Sequence, residues 1–296
     1  MAESILINVL VIIIGHIAKK IKLFPEDTGT VLSRLVIYIT LPATVLKVFI
    51  SSALKLDLFI VPLISFFFGL LIFLIGFLLL NNLELEDRLK WTLLIGICGY
   101  NVGLFSYPFI KSLYGDEGLL YMAMFDIGNS FIVFGLSYAL SLVSEDGWSF
   151  NKTTHLLERV FSFFPLQVYI ISILLSLLKV NFPEIFISLI SQLSIPNSTL
   201  ALFTLGYFLD FRLNKAEIRA LIYGTLIRFI PGIIFSLVLR SIWHSLMVKI
   251  ISIGVLLPAP LVVVIYSNEK GLNSKFASFY VSLTILLGII FLVLFK

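Results

Sequence analysis

Two charged residues stand in stretches that offer them no water: Asp126 in MAMFDIGNSF and Arg228 in LIRFIPGII. A carboxylate in the middle of hydrocarbon costs at least ~2.5 kcal/mol on insertion scales, so such groups face a cavity or a partner. Asn129 and Ser130 follow Asp126 at i+3 and i+4, giving one polar face on a helix. That face allows two chemistries. Asp126 can take up a proton or cation while Asn129 touches a ligand, or both side chains can brace nearby backbone; the pattern leaves both open. Arg228 cannot lose its charge by giving up a proton and needs a counter-ion or water. Asp126 and an anionic ligand are the two candidates. A structural or charge-coupling ion pair is the expectation carried forward.

A second constellation is built from helix breakers. The stretch GYNVGLFSYPFIKSLYG carries Gly99, Gly103 and Pro108 with Asn101 and Ser106 among them, and GVLLPAP carries Gly254, Pro258 and Pro260. Proline removes a helical N–H and obstructs the preceding turn. In lipid every released backbone group needs a partner, so an unwound segment survives only inside protein or beside a water-filled cavity. The spacing predicts that Tyr100–Tyr107 is unwound. Two such breaks bring half-helix N-termini inward, each carrying about +0.5 of a charge, which suits a carboxylate. The candidate ligand-binding residues are Asn101, Val102, Gly103, Pro108, Asn129, Leu257, Pro258 and Pro260, with Asp126 and Arg228 tuning the charge.

The elements that must position these residues follow from composition. Of 296 residues 59% are hydrophobic and 13% charged, against about 25% charged in soluble domains. The mean hydropathy is +1.09. Apolar runs without strand-like alternation recur at close to the ~20 residues a bilayer core requires. The chain reads as an all-α membrane protein with ten spans near 4–18, 28–51, 57–81, 88–113, 117–143, 160–178, 184–209, 216–240, 246–266 and 272–295. Asp126 lies about nine residues into the fifth, roughly 14 Å and close to the midplane. The net charge of +4 belongs to scattered loop residues, which fits membrane topology rather than nucleic-acid binding. With both termini outside, basic residues fall twelve inside to six outside, and the 144–159 connection lies inside. The acidic start and the basic residues that follow the first run do not fit a cleaved signal.

The halves correspond. YITLPATVL in the second span matches QLSIPNSTL in the seventh, and YPFIKSLYG in the fourth matches APLVVVIYS in the ninth. Pro42 and Pro196 are 154 residues apart and Pro108 and Pro260 are 152 apart, so one register relates both pairs. Five spans per half invert the second relative to the first. The expected units are 1–143 and 160–296, a 5+5 inverted repeat with crossed, broken helices 4 and 9. Interrupted spans at corresponding places in inverted halves point to a carrier's binding site.

On LVIYITLPATVLKVF, CGYNVGLFSYPFIKSLYGDEGL, FDIGN, STLALFTLGYFL and LLPAPLVVVIYSNEKG, the chain resembles the auxin efflux carrier family over essentially its whole length. The resemblance implies a scaffold of spans 1, 2, 6 and 7 that forms a homodimer. Spans 3–5 and 8–10 would form a mobile unit moving organic anions in an elevator-like way. After Asn101 the residues Val102, Leu104, Phe105 and Tyr107 are bulkier than the family's small, Gly-rich run. The long cytoplasmic loop of some plant members is absent. The reading is a cell-membrane exporter of a small organic anion, with a proton or sodium as coupling ion and no cofactor. A sodium-coupled bile-acid-type symporter and a non-transporting ligand sensor are the alternatives. Enzyme motifs are absent, and His16, His155 and His244 lack metal-ligand spacing.

Overall fold

The computed structural model describes residues 2–52, 54–146, 158, 160–211 and 217–296. Most of the 144–159 connection, with Lys152, His155 and Arg159, lies outside the described residues, as do Arg212 and Lys215. Among the described residues the chain is helical with no strand. Helix α1 is Ala2–Lys20. Helix α2 (Thr28–Leu35) passes through a π-helical turn into α3 (Leu41–Ile50). Helix α4 is Ile60–Asn81 and α5 is Asp87–Ile97. After an interruption the chain forms a π-helical turn, Val102–Ser106, and runs on into α6 (Tyr107–Ser130). Helix α6 has two legs that reverse at Gly115 (φ 64°, ψ −153°), where Lys111 and Asp116 form an ion pair. A further π-helical turn leads into α7 (Ser137–Asp146).

The second half also contains long and interrupted helices. Helix α8 is Phe164–Leu177, α9 is Glu184–Ser194 and α10 is Asn197–Phe208. Helix α11 (Ile218–Ile242) is followed by α12 (Leu246–Gly254), an interruption, α13 (Val262–Glu269) and α14 (Ser274–Leu294). Among the described residues six helical stretches are long and apolar enough to cross a membrane: Thr28–Ile50, Leu56–Asn81, Val102–Ser144, Glu184–Phe208, Ile218–Ile242 and Ser274–Leu294. Phe164–Leu177 is apolar but shorter. The runs at 88–113 and 246–266 are each divided by an interruption.

Apolarity on all sides of a helix marks burial in lipid as well as in protein. Leu63, Phe67, Leu71, Leu74 and Leu78 of α4 are exposed, as are Ile222, Leu226, Ile230, Ile234 and Leu237 of α11. The other sides of these helices pack inward. Helix α6 lies at the centre, against α4, α12, α1, α3 and α10, and its Met122, Ala123, Met124 and Phe125 are fully buried. Helices α1 and α10 approach so closely that a side chain at Gly15 would overlap the Phe203 carbonyl and one at Gly206 the Ile12 carbonyl. Small residues allow such backbone approach in membranes, where van der Waals packing holds helices together.

Candidate functional site

The site is made by the two interruptions. In the first, α5 ends at Ile97 and Gly99 takes φ +71°, a conformation that costs glycine little because it lacks a Cβ. Tyr100 and Asn101 are non-helical, and the helix resumes at Val102. The expected unwinding of Tyr100–Tyr107 is therefore corrected. The non-helical segment lies upstream, at 98–101, and Val102–Ser106 is a π-helical turn continuous with α6. Pro108 is the second residue of α6 but the seventh of the helical run that starts at Val102, and the wider π-helical turn before it accommodates the ring and the missing N–H. It does not break the helix. In the second interruption, α12 ends at Gly254 and α13 begins at Val262, with Pro258 and Pro260 between them.

The segments meet. The Asn101 N–H donates to the Pro258 carbonyl at 2.9 Å. Asn129 clamps Tyr100: its Oδ1 accepts from the Tyr100 N–H at 2.8 Å and its Nδ2 donates to the Tyr100 carbonyl at 3.0 Å. The Ala259 N–H donates to Thr284 Oγ1 at 3.1 Å. Buried backbone groups without partners are rare, and here side chains from distant helices supply the partners.

Arg228 does most of this bracing. Its side chain is fully buried. Nε and Nη2 donate to the Leu257 carbonyl at 3.2 and 2.8 Å, Nη2 to Gly99 at 2.8 Å, and Nη1 to Ile97 at 3.0 Å and Gly96 at 3.4 Å. All five N–H donors of the guanidinium are thereby used. The cation faces the carbonyl-rich, partly negative end of α5 and lies 4.8 Å from the centre of the Tyr100 ring. The ion pair expected with Asp126 is absent. Asp126 instead accepts from Asn129 Nδ2 at 2.9 Å and from the Tyr169 hydroxyl at 2.5 Å. The guanidinium is spent on backbone, so no donor remains for a ligand carboxylate.

A cavity of about 160 Å³ opens beside the first interruption. It is lined by Asn101, Val102, Gly103, Asp126, Asn129 and Pro260 from the candidate set, and by Ser33, Tyr100 and apolar side chains including Leu41, Val133, Phe134, Phe163 and Phe208. Among the described residues its wall holds no Lys, Arg or His. Pro108, Leu257, Pro258 and Arg228 are not in the wall. The Pro108 carbonyl accepts from Asn8 Nδ2 at 3.4 Å. Two helix starts flank the space, with Val102, Gly103 and Leu104 on one side and Leu261 and Val262 on the other. The first N–H groups of a helix have no intrahelical partner. Asn101 is 5% exposed, and its Nδ2 is buried without any hydrogen-bond partner.

Sequence reasoning missed Tyr169 and Thr284. Each lies on a largely apolar helix distant in sequence from both interruptions, and no spacing in the sequence ties it to them. Asn197 is buried at a helix contact, where its Oδ1 accepts from the Thr40 hydroxyl at 2.8 Å.

Described residues that are helical and largely apolar, with two interrupted helices meeting beside a cavity, fit a multi-pass membrane transporter. The chain belongs to the membrane transport protein family of auxin efflux carriers, whose family model matches residues 1–159. It is 22% identical over 304 aligned residues to an uncharacterized transporter of Methanothermobacter thermautotrophicus, covering 99% of this chain and 97% of the relative. It is 26% identical over 245 residues to an uncharacterized transporter of Methanocaldococcus jannaschii, covering 79% and 78%.

Proposed function

We propose that the protein is a secondary carrier that exports a small organic anion across the cell membrane by an elevator-like movement. The observation that carries this reading is Asn101: a residue in the wall of an apolar cavity flanked by two helix starts, whose buried Nδ2 has no partner. An unmade hydrogen bond in a buried place is costly and is relieved by a ligand that accepts it. A carboxylate on an apolar body suits both the donor and the wall. Asp126, also in the wall, disfavours an anion while ionised, so a coupling proton, or sodium, at Asp126 fits the same site. Asn129 and Arg228 act through the backbone they hold.

In this reading the ten spans form a 5+5 inverted repeat, 1–143 and 160–296, in which spans 4 and 9 cross at their breaks. The Asn101–Pro258 hydrogen bond supports that crossing. The Thr40–Asn197 contact, two residues before Pro42 and one after Pro196, supports the pairing of spans 2 and 7. Spans 1, 2, 6 and 7 form the scaffold of a homodimer, spans 3–5 and 8–10 move, and both termini lie outside.

Equilibrium binding of benzoate and hexanoate, with benzamide and hexanamide as uncharged controls, tests the site. Wild type is expected to prefer the acids. Asn101→Ala is expected to lose about 0.5–1.5 kcal/mol for the acids, or up to ~3 if the anion's charge is engaged. Unchanged acid binding by a folded Asn101→Ala protein would place the site elsewhere. Efflux of the bound acid from proteoliposomes, under imposed proton and sodium gradients, tests direction and coupling.

A further inference from the structure

Two buried tyrosines and the half-buried Asp126 form a chain of hydrogen bonds. The Tyr107 and Tyr169 hydroxyl oxygens are 2.7 Å apart, and the Tyr169 hydroxyl donates to Asp126 Oδ2 at 2.5 Å. Both tyrosines are almost fully buried. Tyr107 and Asp126 stand on the two legs of α6. Tyr169 stands on α8, which packs chiefly on α3 and meets α6 along a short stretch. The hydroxyl chain is therefore a polar tie across a narrow contact.

Its direction depends on charge. An ionised carboxylate has no proton to give, so Asp126 only accepts, from Asn129 through Oδ1 and from Tyr169 through Oδ2. Tyr169 then spends its single proton on Asp126 and accepts from Tyr107. When Oδ2 gains a proton, the new O–H needs an acceptor, and the Tyr169 oxygen is the one in reach. Tyr169 must then turn its own proton towards Tyr107, whose proton loses the partner it had. A charge-assisted bond is replaced by a neutral one of roughly half its strength. One O–H bond forms, and no other covalent bond changes.

We propose that Tyr169 is a positioning residue that latches α8 to α6 while Asp126 is ionised and releases α6 when Asp126 takes up a proton. The proposal rests on the reading above, in which span 6 belongs to the scaffold and spans 4 and 5 move past it. The proton reaches Asp126 through the cavity whose wall it lines. The titratable groups facing Asp126 are Tyr169 from α8, Tyr107 from the first leg of α6 and, across the cavity, Tyr100. Among the described residues no Lys, Arg or His lines that space to replace the latch with a salt bridge.

Hydrogen–deuterium exchange in lipid nanodiscs, without added ligand, tests the latch at acidic and mildly alkaline pH. Rates are corrected for the intrinsic effect of pH on exchange. In wild type, peptides covering 102–110 and 164–172 are expected to exchange about tenfold faster in acid, the weight of one charge-assisted hydrogen bond. In Tyr169→Phe they should exchange fast at both pH values, and in Asp126→Asn the step should vanish. Absence of a step in wild type overturns the latch, and so does a full step in Tyr169→Phe. If Tyr169→Phe does not fold, Asp126→Asn decides alone, because a step that persists without an ionisable group at 126 has another source. Loss of benzoate binding with the step intact would remove the transport reading and leave the latch. Benzoate binding without any step removes only the latch.

Discussion

The two interruptions do the same thing to a helix by different means. The first, 98–101, turns on Gly99 and keeps its N–H groups, so the rest of the molecule must satisfy them. Asn129 takes both polar groups of Tyr100, and Arg228 takes the carbonyls of Gly96, Ile97 and Gly99. The second runs between α12 and α13 and contains Pro258 and Pro260, which have no N–H to satisfy. There a single threonine hydroxyl serves Ala259, and Arg228 reaches the Leu257 carbonyl. The first break is held from outside, and the second is largely written into its own residues. Chemistry follows the same division. The first contributes Asn101, whose amide nitrogen has no partner, to the cavity wall, while the second contributes Pro260 and apolar side chains.

If the first break depends on remote side chains, their loss should cost most. Arg228→Ala leaves four buried carbonyls without their donor, at ~1–3 kcal/mol each when unpartnered. Thermal unfolding in detergent is expected to show a loss of about 4 kcal/mol or more. Arg228→Lys keeps the charge but not the fork and should recover less than half. A near-neutral Arg228→Ala would mean that the breaks hold themselves. Asn129→Leu comes next: it orphans the Tyr100 N–H and carbonyl for roughly 2–4 kcal/mol, and an equal loss in Asn129→Asp would show that the Nδ2 donor matters more than the Oδ1 acceptor.

Thr284→Val sharpens the comparison from the other side. It removes one partner from the proline-built break and should cost about 1–2 kcal/mol, less than Asn129→Leu. A larger cost would reverse the ranking of the two breaks. Pro108→Ala frees the unfolded chain, at about 0.4–1 kcal/mol, but restores a helical N–H, so its net cost should be smaller than that, and benzoate binding should be unchanged because the break lies upstream of it. Asn101→Ala should be the mildest for folding, within about 0.5 kcal/mol, since its Nδ2 has no partner to lose. Its effect belongs to binding. A clear drop in melting temperature for Asn101→Ala would show that the amide serves the fold.

Sequence reading located both interruptions within a few residues, because glycine and proline act on their own stretch of chain. It shifted the first too far downstream by weighting Pro108, which the π-helical turn at Val102–Ser106 accommodates without breaking the helix. The polar face of Asp126 and Asn129 was visible from their spacing, and one of the two roles kept open for Asn129, bracing, is what the hydrogen bonds display. Arg228 was recognisable as a charge in need of partners. Those partners turned out to be backbone carbonyls of α5, of Gly99 and of the 255–261 segment, and nothing in LIRFIPGII distinguishes them from a carboxylate.

By itself the sequence determined the solvent, the helical class and the places where helices stop. These depend on local quantities: the length of apolar runs against the thickness of hydrocarbon, and the missing N–H or Cβ of particular residues. Only the tertiary structure decided who satisfies the broken backbone and what is left unsatisfied. Asn101 became a candidate ligand donor because Arg228, Asn129 and the Pro258 carbonyl had already filled the other positions around it. A hydrogen bond forms over about 3 Å, so its partner is set by which distant helices cross at that point, and no local pattern carries that information.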